Sequence, residues 1–164
     1  MRERSTSSEH RDMGDVVIDT STGARGTYAD WVAAFQNRWS DARNNLDRFM
    51  DILGPDILLR APGLRTTRGR DAGRAAFATT FDALPDITGQ VHRWSASGEV
   101  LFIEMTFSAT IGKGRVEWWN VDRFLFRDGV AMERVAYFDP SRIRRAYFSS
   151  LAGLRQLWRI RRMR

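Results

Sequence analysis

Residues Val116–Asp139, VEWWNVDRFLFRDGVAMERVAYFD, constrain this chain more than any other stretch, because they read as two long antiparallel strands joined by an Asp128–Gly129 turn. Side chains alternate along a strand, so Trp118, Asn120, Asp122, Phe124 and Phe126 share one face, and Glu117, Trp119, Val121, Arg123, Leu125 and Arg127 share the other. Asp-Gly between two such runs supplies the positive φ that a tight hairpin turn needs. Each face mixes large apolar groups with polar or charged ones, whereas a strand with one face on a core and one in water separates them. Both faces are therefore expected to be covered, one lining a pocket that tolerates Asn120 and Asp122, the other lying against a partner. The alternative is a mostly exposed strand whose Asp122 pairs with a neighbouring arginine.

At 164 residues the chain suits one domain with a real core. No apolar run approaches the ~18 residues that a membrane span needs. The opening MRERSTSSEHRDMGD lacks the apolar segment of a secretory signal, so a cytoplasmic location is the default expectation. The chain has no cysteine, which excludes disulfides and thiolate catalysis. Residues 140–164 hold eight arginines and no acid, so a net charge of +6 leaves the rest of the chain at −2. The basicity belongs to the tail, and no nucleic-acid partner is expected for the body.

Residues 1–26 are rich in Ser, Thr, Gly and charge and read as a flexible arm. Thr27-Tyr-Ala-Asp30 offers an N-cap with an acid three residues on, opening a helix on which Trp31, Val32, Phe35 and Trp39 form an apolar stripe. After a break near Asn44–Asn45, Leu46, Phe49, Met50 and Leu53 mark a second short helix that Gly54-Pro55 should end. Asp56–Ala61 reads as a short buried strand, and Gly69–Leu84 as a helix whose Ala72, Ala76, Phe77 and Phe81 face inward before Pro85 stops it. Strands over about Ile87–Ser95 and Glu99–Ile111 then lead into the hairpin, with turns at Gly98 and Gly112-Lys-Gly114. Leu101, Ile103, Met105, Phe107 and Ala109 form a clean apolar face on the longer of them, and the same alternation puts His92 and Trp94 together on the shorter.

Helices followed by a meander of long strands predict an α+β domain, a curved, mostly antiparallel sheet wrapped around the N-terminal helices. The sequence here resembles the nuclear transport factor 2-like superfamily in its SnoaL-like and ketosteroid-isomerase-like branch. The resemblance rests on LLRAPGLRTTRGRDAGRAAF and NVDRFLFRDGVAMERVAYFD, and with the helical opening it covers about Thr27–Tyr147. It implies a cone-shaped half-barrel with a deep apolar cavity, commonly dimeric through its sheet. The branch includes isomerases, cyclases, epoxide hydrolases, dehydratases and proteins without catalysis. Its domain here would be residues 27–148, with 149–164 as a basic helical tail.

Asp122 matches the position where ketosteroid isomerases place a carboxylic acid that donates to a developing oxyanion, a role that needs an apolar setting. The position of that family's general-base aspartate holds Arg60, and the limonene-epoxide-hydrolase positions hold Glu104, Thr106 and Ala136, so neither of those two mechanisms is implied. Asp139 resembles the acid/base aspartate near the end of the last strand in SnoaL-like polyketide cyclases; the alternative is a helix N-cap, with Pro140 at the first helical position.

Asp122, His92, Glu104 and Asp139 are thus the catalytic candidates, with Arg60, Trp94, Trp118, Asn120, Arg134 and Phe138 expected to touch a ligand. The function expected is cofactor-free acid/base chemistry on a hydrophobic small molecule; the competing class is a non-catalytic binding or interaction module. His92, the single histidine outside the arm, builds no metal site alone, and no phosphate-loop, dinucleotide or zinc motif is present, so neither metal nor cofactor is expected. Partners expected are the ligand, a second copy through the sheet and no nucleic acid. In the tail, Leu151, Leu154 and Trp158 form the stripe expected to dock the helix. Two readings of it stand: a solvated helix closing the open end of the cavity, or a basic amphipathic helix making weak contact with an anionic membrane.

Overall fold

The long alternating strands organise the molecule, and a computed structural model describes residues 25–162 of it. Strands β1 (Leu53–Arg60), β2 (Thr67–Arg68), β3 (Thr88–Ser97), β4 (Val100–Ile111), β5 (Gly114–Arg127) and β6 (Val130–Tyr137) form one sheet in the order β2-β1-β6-β5-β4-β3. Neighbours run antiparallel except β1 and β6, which are parallel. The sheet is curved and unclosed, and its register slips between Leu53 and Leu58, between Val91 and Arg93, and between Leu125 and Phe126. Such slips bend and twist strands.

The inner, concave face carries the core. Leu101, Ile103, Met105, Phe107 and Ala109 of β4 are all buried, as their spacing predicts. Helix α1 (Arg25–Ser40) lays its stripe across this face: the Trp31 and Phe35 rings lie 4.7 and 5.4 Å from that of Phe124, and Trp39 lies 4.6 Å from Phe107. The Tyr28 hydroxyl donates to Gly98 O (2.9 Å) and Gln36 Nε2 to Gly89 O (3.1 Å), which pin the helix along β3. The arm expected over residues 1–26 lies outside the described residues up to residue 24. Arg25 and Gly26 already belong to α1, so Thr27 sits inside the helix instead of capping it. A threonine with an acid three residues on recurs within helices, and marks a start only where the preceding residues cannot be helical.

Two further boundaries differ from expectation. Helix α2 (Leu46–Asp51) ends with Ile52 as its C-cap, and Gly54-Pro55 falls inside β1, at the slipped register against β6. Proline fits a strand where ladder pairing is interrupted. A Cβ at Gly54 would sit 2.9 Å from Ala131 O, so the residue lets β6 approach. Helix α3 (Arg70–Ala83) buries Gly73, Phe77 and Phe81, while Ala72 faces solvent. Phe77 and Phe81 face inward as expected and Ala76 is half-buried, while Gly73 takes the inward place expected of Ala72 because it lets Leu59 and Met50 press against the helix.

The Asp86 carboxylate ties the α3–β3 connection to the sheet, accepting from Thr110 N–H (3.0 Å), Thr110 Oγ1 (2.6 Å) and Arg115 Nη1 (2.8 Å).

Helices α4 (Ser141–Phe148) and α5 (Leu151–Arg162) close the chain. The expected stripe of α5 is not its docking face: Leu151 and Trp158 are exposed and Leu154 is half-buried. Gly153, Gln156 and the half-buried Leu157 make the contact instead. Gln156 Oε1 accepts from Gly112 N–H (2.9 Å) and its Nε2 donates to Ala83 O (2.9 Å). Side-chain volume had suggested the leucines, but a backbone-to-backbone approach selects the glycine. A Cβ at Gly153 would lie 2.5 Å from Tyr147 O and 2.9 Å from Ala146 O. Gly153→Ala is therefore expected to pry α5 off the body, seen as tryptic cleavage in 150–164 at least several times faster than in the parent; equal rates would contradict the packing account.

Candidate functional site

The inner face of β5 places Trp118, Asn120, Asp122, Phe124 and Phe126 toward the helices, and all five are buried. Asp122 is fully buried (0% exposed) and Arg134, from β6, nearly so (7%). In register, Asp122 faces Ala136 while Arg134 faces Phe124. The small alanine leaves the space through which the arginine reaches diagonally, a distance long side chains span across two strands. Arg134 Nη2 donates to Asp122 Oδ2 at 2.7 Å. The guanidinium lies 5.8 Å from the Trp39 ring centre and 5.6 Å from that of Phe77, within cation–π range of both.

This patch is incompletely bonded. Asp122 Oδ1, both amide atoms of Asn120, Arg134 Nε and Trp39 Nε1 are sealed from solvent and have no hydrogen-bond partner among the described residues. Arg123 Nε and Thr67 Oγ1 share that state on the outer side of β5 and on β2. A buried polar atom left unbonded costs about 1–3 kcal/mol. Several in one place are a local cost that packing does not require, since a leucine would fill the Asn120 position as well.

Of the ten residues expected at the site, the structure gathers six on this inner side: Asn120, Asp122 and Arg134 in the floor, and Trp118, Trp94 and Phe138 in or against the core beside it. His92, Glu104 and Arg60 are not among them. Between Val91 and Arg93 the register slips, so His92 is the extra residue and turns to the outer face while Trp94 stays inside. There His92 Nε2 lies 2.9 Å from Thr106 Oγ1 and its ring 4.9 Å from that of Trp119. Glu104 pairs with Arg93 on the same outer face (3.2 Å). Arg60 is exposed opposite Val135, one residue out of phase with Leu59, which faces Arg134. Of the polar candidates on the strands, Asp122, Asn120 and Arg134 thus share the inner face, and His92, Glu104 and Arg60 do not.

Asp139 is exposed and accepts from Ser141 N–H (2.8 Å) and Ser141 Oγ (2.5 Å). The Ser141 hydroxyl, then its N–H, hold the Asp139 carboxyl below the usual aspartate value. This is the capping geometry, with the assigned helix start one residue later than expected.

The sequence reading missed Trp39 and Phe77 as site residues, because a ring that boxes a guanidinium and a ring that packs a core occupy the same helical stripe. The slip at His92 did leave a signal: inward Val91 and Trp94 are three residues apart where alternation requires two or four.

A cleft of about 550 Å³ opens elsewhere, between Pro85, Asp86, Thr110, Gly112, Ala152, Arg155 and Gln156. Asp86 and Gln156 are already engaged there with Thr110, Arg115, Gly112 and Ala83, so the cleft offers few free polar groups.

Breaking a buried ion pair on one side costs about 3–5 kcal/mol, whereas replacing both partners by apolar groups is often neutral. Asp122→Leu and Arg134→Met should each lower the unfolding free energy measured in urea by an amount in that range, and the double variant should recover most of it. A double variant no more stable than the singles would mean that the pair is not coupled.

A family model described as the SnoaL-like domain matches residues 20–134. Among solved structures, an epoxide hydrolase of the LEH-like type from M. tuberculosis matches with a TM-score of 0.62 at 23% identity, covering 79% of this chain and 95% of its own. A candidate SnoaL-like polyketide cyclase from Jannaschia sp. CCS1 matches with a TM-score of 0.66 at 14% identity, over 74% and 91% of the two chains. TerC co-crystallised with polyporic acid matches with a TM-score of 0.66 at 16% identity, over 73% and 97%. Such identities establish a shared fold. No curated protein sequence matches the chain.

Proposed function

The chain belongs to the SnoaL-like domain family, and from that premise we propose that it binds a hydrophobic small molecule over the floor of Asn120, Asp122 and Arg134 and performs cofactor-free acid/base chemistry on it. The observation that carries this reading is the set of unbonded polar atoms on Asn120, Asp122, Arg134 and Trp39, held together among aromatic rings. Sites that bind small molecules are mostly apolar with a few placed polar groups. Because those atoms are sealed, the ligand enters when the helices covering the floor move, and its own polar group then meets them.

In the proposed step Arg134 Nη2 holds Asp122 Oδ2, leaving Oδ1 to take a proton from a carbon next to a ligand carbonyl. The C–H bond breaks, an O–H bond forms on Asp122, and the electron pair moves to the carbonyl oxygen. Asn120 Nδ2 donates a hydrogen bond to that oxygen. Asp122 then returns its proton to another atom of the same ligand, as an isomerisation or cyclisation requires, or to a leaving oxygen, as a dehydration requires. No redox partner enters the balance.

One observation favours a second reading, a non-catalytic binding or interaction module: Asp122 is fully buried and already engaged by Arg134. The two separate on solvent-deuterium incorporation into an apolar ketone such as 1-tetralone, followed by NMR beside calorimetric binding. The enzyme reading expects exchange by the parent chain and a loss of about 100-fold or more in Asp122→Asn, checked for retained folding. Ketone binding without exchange establishes the binding module, and no binding by a panel of ketones, epoxides and quinones overturns both.

Asn120→Leu discriminates further. It removes two unbonded polar atoms and should raise stability by about 1–3 kcal/mol while weakening ligand binding. A loss of stability would show that the amide is engaged in solution and that the floor is structural.

The outer face of the sheet supports a homodimer in the same proposal. Trp119 (56% exposed), Tyr137 and Phe102 stand there beside the Arg93–Glu104 and Arg123–Glu133 ion pairs, and apolar groups rimmed by charge suit an interface. Sedimentation velocity at micromolar concentration should give a dimer that Trp119→Glu dissociates; a monomeric parent chain would remove the idea.

A further inference from the structure

Helix α5 has two unlike sides. One is fixed to the body through Gly153, against the carbonyls of Ala146 and Tyr147, and through the Gln156 hydrogen bonds to Gly112 and Ala83. The other is open. Leu151 is 74% exposed and Trp158 63%, and Phe148, at the end of α4, is 62% exposed. Leu151 and Trp158 are seven residues apart, so they share one side of the helix, and the exposed Arg155 falls between them at the four-residue spacing. Residues 140–164 hold eight arginines and no acid. Arg142, Arg144 and Arg145 are exposed on α4. The ion pairs among the described residues draw on Arg43, Arg74, Arg93, Arg115, Arg123 and Arg134, all of them before α4.

We propose that this corner docks on the surface of an anionic phospholipid membrane, with Phe148, Leu151 and Trp158 entering the boundary between headgroups and acyl chains and the arginines of α4 and α5 binding lipid phosphates and carboxylates. Charge complementarity supplies the attraction, and the exposed apolar groups select this partner over another polyanion. A nucleic acid would engage the guanidinium groups and leave three large apolar side chains in water. A lipid interface offers an apolar layer directly beneath an anionic one, the arrangement that a face of Leu, Trp and Arg complements, and tryptophan is favoured at that depth. The contact is peripheral, since no helix among the described residues is long and apolar enough to cross a membrane. Outside residues 140–164 the chain carries −2, so an anionic surface attracts the tail end and weakly repels the rest, which orients the molecule.

The test is co-sedimentation of the full chain with phosphatidylcholine vesicles, with and without phosphatidylserine, at low and at physiological salt. The parent chain should pellet with the phosphatidylserine vesicles at low salt and progressively less as salt rises. Leu151→Ser combined with Trp158→Ser leaves the docked face of α5 untouched and should weaken binding by roughly tenfold or more, with the helix content unchanged by circular dichroism. A parent chain that stays in the supernatant with anionic vesicles at low salt overturns the proposal. So does a double variant that binds as well as the parent, because the attraction is then charge alone; a random-sequence DNA duplex bound equally by both forms would identify that polyanion. A double variant that changes the oligomeric state without vesicles would also overturn it, assigning the corner to contacts between copies.

Discussion

One buried ion pair sets what the concave face of this molecule can be. Asp122 and Arg134 meet across β5 and β6 where a core strand would ordinarily present two aliphatic side chains. Taking both charges out of water costs several kcal/mol each, and the attraction between them offsets this only if their geometry is good and their remaining polar atoms are bonded. The geometry is good, but the bonding is incomplete, with Asp122 Oδ1 and Arg134 Nε left over. The surroundings follow from that condition. Ala136 is small enough to let the arginine reach, and Trp39 and Phe77 face the guanidinium.

The two faces of the sheet then divide the polar residues by chemistry. On the outside, Arg93–Glu104 and Arg123–Glu133 are paired at the edge of water, where an ion pair costs little to form and contributes little. His92 joins them because a one-residue slip in β3 turns it outward. On the inside, the amide and the carboxylate are few and incompletely bonded. The proposed ligand site rests on this difference, because an unbonded buried polar atom has a hydrogen bond left to make. The same inner atoms account equally for a binding role without turnover, since both need the floor and only one needs the proton to move.

The C-terminal corner obeys a different constraint. Two helices cross closely there because Gly153 has no side chain, and that approach decides which side of α5 meets the body. Once Gly153, Gln156 and Leu157 take the docked side, Leu151 and Trp158 are left in water.

Much of this was legible in the residues. Alternation in β4 and β5, the Asp128–Gly129 turn and the aromatic stripe of α1 determined by themselves an α+β domain with a curved sheet around its helices and with Asn120 and Asp122 on a covered face, because period and turn geometry are local properties of the chain; the cone shape was what the resemblance implied. The family resemblance, drawn from the same stretches, agrees with the SnoaL-like domain match over residues 20–134. Tertiary structure alone decided the rest. The slip beside His92, the pairing of Asp122 with Arg134 and the docking of α5 by Gly153 each depend on which strand or helix lies alongside. A period of two carries no record of where a neighbouring strand shifts by one residue, and a helical stripe does not say whether its large or its small side chains will meet the body. Those choices belong to packing between distant segments, where the space a neighbour leaves, and not the residue's own preference, settles which face it takes.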